Sequence, residues 1–286
     1  KWIAPRITVA HWCFDLHPEG AVASGLLSAK AVPVRWMQNA LTRAYRRCDL
    51  IVDLGVCMRT RLAGYRHAAR AVTLPPWALS EPAQPLGMDA STRAELFGTA
   101  SLGILYSGNF GEAHAYEEIV ALVRRLRHIP AIHFCFAVRG NQAAALRNAF
   151  GPGDTNVSFA GFAPLSELEK RLGAADIHLA SLKPTWSGIA VPSKFMGSLA
   201  AGRPVIFAGA PDSAIADWIR SYGVGWVLDA EHVDAVADDL VRYAEDRAAL
   251  QDLWQSCHQV YRADFSRKHI TDKWDSELRA VVHRDP

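Results

Sequence analysis

From Lys183 to Ile206 the chain reads Lys-Pro-Thr-Trp-Ser-Gly-Ile-Ala-Val-Pro-Ser-Lys-Phe-Met-Gly-Ser-Leu-Ala-Ala-Gly-Arg-Pro-Val-Ile, a loop, helix, stop and strand in succession. Pro192-Ser193 marks a helix start, because proline lacks the N–H that a first turn leaves unpaired and serine caps that turn. Met196, Leu199 and Ala200 fall on one helical face. Gly202 supplies a left-handed stop, and Pro204 to Phe207 opens a short apolar run suited to an inner parallel strand. This order confines the region to an α/β layer fold. It also places Lys194 at a helix start after a Gly-containing loop, a seat for a phosphate or diphosphate. The plainer alternative is a helix that only packs on a sheet, with Lys194 solvated.

Upstream, the β-rich run Arg6 to Phe14 predicts a buried parallel strand ending in the polar bend Asp15-Leu-His-Pro-Glu-Gly20. Ligands of open α/β sheets bind at that strand edge, so Asp15, His17 and Glu19 are candidate substrate contacts. An ordinary turn with Asp15 capping the next helix is the competing explanation. A helix over 34–47, a strand over 50–54, a helix over 58–68 and a strand over 71–74 complete half of a doubly wound unit. Residues 78 to 97 lose periodicity and read as a connection, with a short helix over 92–97. A second α/β unit follows, with strands expected at 103–107, 132–138, 157–160, 176–180, 204–207 and 225–228. Helices from about Val233 and Arg247 close it, and 266–282 forms a terminal helix.

Charge is uneven. Residues 1 to 80 hold eleven Lys and Arg against four Asp and Glu, whereas the whole chain is only +2. A basic front implies an anionic partner such as a lipid headgroup, a pyrophosphate or a nucleic acid, or else merely solvated helix faces. Five cysteines without a Cys-x-x-Cys pair fit a reducing cytosol. No apolar run reaches the ~18 residues of a membrane span, and no signal peptide opens the chain. The abrupt start at Lys1 predicts a piece of a longer protein.

His-Glu-x-x-His, Gly-x-Ser-x-Gly and Walker A patterns are absent, and no metal-ligand spacing occurs among the histidines. What remains is a set of strand-end loops, at 108–111, 139–141, 161–164, 186–194 and 209–213. In a doubly wound unit these converge on one nucleotide-sized crevice.

The Pro-Ser-Lys194 and Leu-Ala-Ala-Gly-Arg-Pro-Val205 segments resemble the nucleotide-sugar site of bacterial family-4 glycosyltransferases. The matching branch builds capsule, O-antigen and colanic-acid-type polysaccharides. Asp15-Leu-His-Pro-Glu19, Pro75-Pro-Trp77 and Tyr106-Ser-Gly-Asn-Phe-Gly111 with His114 carry the resemblance further. It implies an α/β fold of GT-B type, two Rossmann-like parallel-sheet domains facing a cleft, the first incomplete. The expected units are a partial acceptor-side domain at 1–82, a linker at 83–97, a nucleotide-sugar domain at 98–265, and a terminal helix at 266–286 packing back on the first domain. The implied activity is retaining transfer from a nucleotide diphosphate sugar, UDP- or GDP-linked, to a lipid-linked saccharide, with no cofactor, no metal and no nucleic acid. Its implied place is the cytoplasm, at the inner face of the plasma membrane, with peripheral membrane contact.

Carried over by position, Gly108, Asn109, Gly111, His114, Ser193 and Lys194 would hold the donor diphosphate, and Arg139, Gly140 and Phe162 the nucleobase and ribose side. Lys194 would stabilise the departing diphosphate as it gains charge. Phe162 would stack on the base or simply pack in the core. Asp15 and His17 are the acceptor-side catalytic candidates. The chain departs from the family in three places. Asn109 and His114 stand where many members have Arg and Lys, Ile189 and Gly197 where they have two glutamates, and Phe14 where they have His. A complete first domain would begin roughly a hundred residues earlier. A non-catalytic nucleotide-sugar-binding fragment or scaffold, and a sugar-nucleotide epimerase, are the alternatives.

Overall fold

The computed structural model describes residues 7–282. Lys1 to Arg6, including the start of the expected first strand, and residues 283–286 of the expected terminal unit lie outside the described residues.

The first unit runs β1 (Ala10–Trp12), α1 (Glu19–Ala23), α2 (Val32–Tyr45), β2 (Leu50–Asp53), α3 (Val56–Ala63) and β3 (Arg70–Thr73). Its strands are parallel in the order β1-β2-β3, with Trp12 opposite Val52 and Val52 opposite Val72. Among the described residues, the strand expected over Arg6–Phe14 pairs over Ala10–Trp12, and it is exposed at Ala10 and His11 rather than buried as expected. All four residues of β2 are buried, as a central parallel strand requires. Asp53 tolerates this because the Gly55 N–H, the Arg59 guanidinium and the Thr73 hydroxyl all donate to it.

The second unit begins with α4 (Ala90–Phe97), β4 (Leu102–Asn109), α5 (Glu117–Arg125), β5 (Ile132–Arg139), α6 (Ala143–Asn148), β6 (Val157–Phe159) and α7 (Leu168–Ala174). It continues through β7 (Ile177–Ser181), α8 (Lys194–Ala200), β8 (Val205–Ala208), α9 (Ala214–Tyr222), β9 (Gly225–Leu228), α10 (Val233–Glu245) and α11 (Arg247–Val260). The six strands are parallel in the order β6-β5-β4-β7-β8-β9. Side chains alternate between two cores. Ile177 and Leu179 join Phe134, Ile119 and Leu240 on one face, while Ala180 joins Phe195, Leu199 and Ile219 on the other. Helix α9 was not expected from the sequence, although Ser213 caps it at the Ala216 N–H and Gly223 stops it in the left-handed conformation.

The terminal helix α12 (Arg267–Val282) lies on the first sheet. Its Ile270 and Val281 cluster with Leu50, Val52 and Leu74, and its Trp274 packs edge-on against Trp12. Glu277 forms an ion pair with Arg70.

Residues 83–97, expected as a linker with a short helix over 92–97, carry α4 and pack on the second unit. The Leu86 N–H donates to the Ala201 carbonyl (3.1 Å), Asp89 caps α4 at the Thr92 N–H, and Leu96 and Phe97 are buried. The fastening is Arg203, fully buried beneath the ring of Trp254, its guanidinium 3.9 Å from the ring centroid. It donates to the carbonyls of Ala175 (2.6 Å), Leu86 (2.8 Å) and Gly173 (2.9 Å), among others. Replacing it would strand those carbonyls away from water, each costing about 1–3 kcal/mol. Arg203→Met is therefore expected to lower stability by at least about 3 kcal/mol, read as a shift in the urea midpoint at unchanged slope.

Candidate functional site

The sheet order reverses between β4 and β7, since β5 and β6 lie to one side and β8 and β9 to the other. At such a switch point the loops leaving the strand ends diverge and open a crevice. Glycines shape this one. Gly108 and Asn109, expected in a loop, are still in the β4 ladder opposite Val138 and Arg139. Gly108 has φ 132°, and a Cβ there would sit 2.9 Å from Cε of Lys194. Gly140 has φ 123°, and a Cβ would come 2.6 Å from Oδ1 of Asn109. Both positions thus require glycine for conformation and for space.

Lys194 arrives from α8 and crosses over Gly108. Its half-buried side chain donates from Nζ to the Asn109 carbonyl at 3.0 Å and lies 5.0 Å from the Tyr106 ring centroid. An ammonium carries three donors, so two remain for a ligand. Burial pulls its pKa down from the usual lysine range to about 8.

Ser193 was expected to cap this helix and does not. Its backbone is already helical (φ −63°, ψ −15°), whereas a capping residue adopts extended angles, and its side chain makes no capping bond. Helix α8 is also only seven residues long, so anion binding here rests on the ammonium more than on the helix end.

His114 lies beneath the same bend. Its Nδ1 is 2.7 Å from the Ser181 carbonyl, which can only accept, so Nδ1 carries the proton. Burial, then the Lys194 charge, hold its pKa down to about 4. His114 is therefore neutral at pH 7 and presents an acceptor at Nε2. It supplies no second cation where the family pattern has lysine.

Two contributors lie in stretches singled out in the sequence but were given no role there. Tyr106 is fully buried under the ammonium. Lys183, just past β7, pairs with Glu112 at 2.8 Å, and Gln142 holds the other oxygen of that carboxylate at 2.8 Å. Position alone, two residues beyond a strand end, could have flagged Lys183.

Gly111 belongs to the same turn, with the His114 N–H donating to its carbonyl at 3.0 Å. Gly108, Asn109, Gly111, His114, Gly140 and Lys194 thus come together around one bend. Arg139 and Phe162 form a separate pair one and two strands away, the guanidinium 4.0 Å above the ring centroid. One face of Phe162 is therefore covered by Arg139, and the ring is 49% exposed.

Asp15 and His17 are exposed on the first unit. Their bend is tied to the loop feeding α8, since the Leu16 N–H donates to the Ile189 carbonyl at 3.0 Å. Arg61 likewise donates to the Ser187 carbonyl at 2.7 Å. Ile189 itself is buried among Cys13, Leu16, Met58 and Leu62 of the first unit. Gly197 leaves open space where its side chain would be. Among the described residues, no three His, Cys, Asp or Glu side chains gather into a metal-binding group.

Residues 101–246, which contain this crevice, match the sequence model of the family described as Glycosyl transferases group 1. The chain belongs to that family. It is 24% identical over 217 residues to a Pseudomonas aeruginosa protein named as the glycosyltransferase WbjE, covering 74% of this chain and 54% of that one. Against WcaI of Escherichia coli, named for colanic acid biosynthesis glycosyl transfer, it is 27% identical over 134 residues, 46% of this chain and 33% of that one. The chain thus spans about half the length of the first relative and a third of the second.

Among solved structures, HepE of Anabaena in complex with UDP superposes with a TM-score of 0.71 at 12% identity, covering 98% of this chain and 74% of that one. Sucrose-phosphate synthase of Thermosynechococcus elongatus gives 0.68 at 16% identity, covering 96% and 68%. At these identities the likeness is one of fold, and the fold is α/β of GT-B type, with parallel three- and six-stranded sheets.

Only the protonated form of Lys194 attracts a diphosphate, so the sign of a pH effect follows. UDP affinity should be steady from about pH 7, where the terminal phosphate is ionised, up to about pH 8, and weaken by up to about tenfold per unit above it. Lys194→Met should weaken binding about ten- to a hundredfold at pH 7 and abolish that pH dependence. Gly108→Ala, which drives a methyl group into the lysine stem, should lower affinity by at least about tenfold. Calorimetric titration with UDP across pH checks all three.

Proposed function

We propose that the parent of this chain is a retaining glycosyltransferase that moves a sugar from a UDP- or GDP-sugar to a lipid-linked polysaccharide intermediate, using no resident cofactor. The observation that carries this is the Lys194 ammonium, held over Gly108 at the switch point with donors to spare. As the glycosidic bond breaks, the leaving diphosphate gains negative charge, and a preplaced, partly desolvated cation stabilises that charge more than it stabilises the intact donor. The Gly108, Asn109, Gly111 bend brings backbone close to the phosphates, with Ser193 beside Lys194 at the mouth. The Arg139–Phe162 pair and Gly140 take the nucleobase and ribose side. Neutral His114, with an acceptor at Nε2, suits a hydroxyl of the nucleotide sugar rather than a phosphate oxygen. Asp15 and His17 face the acceptor from the first unit.

The relatives named for glycosyl transfer, one of them for colanic acid biosynthesis, support a polysaccharide-related acceptor. A lipid-linked acceptor places the work in the cytoplasm, at the inner face of the plasma membrane, with peripheral contact. No helix among the described residues is long and apolar enough to cross a membrane.

Ile189 favours a second reading, in which this chain binds nucleotide sugar without transferring it. The family's first glutamate position is filled here by an apolar side chain sealed against the other lobe, and its second by Gly197. Incubating the full-length parent with UDP- and GDP-sugars and a lipid-linked acceptor extract separates the readings. Transfer with the anomeric configuration kept, and at least about a hundredfold slower in Lys194→Ala, is expected. Donor binding without product supports the second reading, and interconversion of free sugar nucleotides supports an epimerase.

A further inference from the structure

Between Glu19 and Asp49 the chain has no acidic residue, yet it holds Lys30, Arg35, Arg43, Arg46 and Arg47. Three large apolar side chains in the same stretch face solvent, Leu26 at 79%, Val32 at 77% and Trp36 at 70% exposure. The geometry of α2 explains how they coexist. At about 100° per residue, Val32, Trp36 and Arg43 fall within one sector of about 40°. Val34 and Tyr45 point the other way, Val34 fully buried and Tyr45 packed on the Tyr65 ring. The outer face of α2 is thus apolar and aromatic at its start and basic further along, with Lys30 and Arg35 beside it. Lys30, Arg35 and Arg43 form no ion pair among the described residues.

We infer that this face, from Leu26 through Arg43, docks on an anionic lipid bilayer. Basic side chains are drawn to the negative surface of a leaflet, and a tryptophan is most stable where headgroups meet acyl chains. Charge complementarity selects this occupant. A second copy would bring two acid-free basic faces together, which repel. A nucleic acid would satisfy the cations and leave Leu26, Val32 and Trp36 in water. The inference deepens the peripheral contact proposed above and rests on that reading for the presence of a membrane, but it needs neither donor nor acceptor.

The test is co-sedimentation of the 286-residue chain with vesicles of phosphatidylcholine alone or mixed with phosphatidylglycerol. Wild type is expected to partition onto the mixed vesicles only, less so as salt rises. Arg35→Glu combined with Arg43→Glu, and separately Trp36→Ala, should each lower the partition coefficient at least about tenfold. Their denaturation midpoints should match wild type, because all three side chains are exposed. Brominated acyl chains should quench part of the tryptophan emission of wild type and correspondingly less in Trp36→Ala. Wild type that ignores mixed vesicles overturns both the membrane contact and this surface. Wild type that binds while the variants bind equally well leaves the contact standing and overturns the surface. A concentration-dependent dimer abolished by Trp36→Ala makes the occupant a second copy and overturns the inference as well.

Discussion

A lysine tucked over a glycine governs the rest of this molecule. The Lys194 stem can cross β4 only because Gly108 has no side chain, and its charge can sit there only because the Asn109 carbonyl and the Tyr106 ring face it. Those partners are weaker than a carboxylate. They leave the cation underpaired, with a pKa lowered to about 8 by burial. An underpaired, partly desolvated cation is poor for folding and good for meeting a charged ligand. The strand reversal between β4 and β7 decides where this happens, and the neighbouring residues are arranged around it.

The loop before α8 joins that centre to the other lobe. Its Ser187 and Ile189 carbonyls accept from Arg61 and from the Leu16 N–H, and it inserts Ile189 into the first unit's core. Gly188, at φ 72°, passes so close that a Cβ would lie 2.6 Å from the Cys57 carbonyl oxygen. A segment of the second unit therefore completes the packing of the first. This stretch of chain ties the bend that carries Asp15 and His17 to the loop that leads to Lys194.

Much of this was written locally and much was not. The strands at Leu50, Ile132 and Val205 are apolar runs between turn residues, and such runs are legible because the pairing partner hardly matters to their composition. Gly202 announced the end of α8 for the same local reason. The approach of Lys194 to Gly108 joins residues 86 positions apart and has no local mark. Arg203 could be read only as part of a family pattern, yet its guanidinium acts as a buried fastener for the segment that joins the lobes. Ser193 misled because a capping residue type does not guarantee a capping conformation. Helix α9 carried its own local signs, a capping Ser213, a left-handed Gly223 and a buried face of Ile215 and Ile219.

The stitching of the connector has a mechanical meaning. From Ala78 onward it is bonded to α11 and the turn after it, through Tyr261 and His258. The chain leaves the first sheet at Leu74 and returns at α12, and Arg267 lies over Trp77 where the two passages run side by side. Two adjacent covalent crossings permit swivelling about their common line and resist pulling apart. The lobes are joined like a book at its spine, so any change in the gap between them is an angle at that spine rather than a separation.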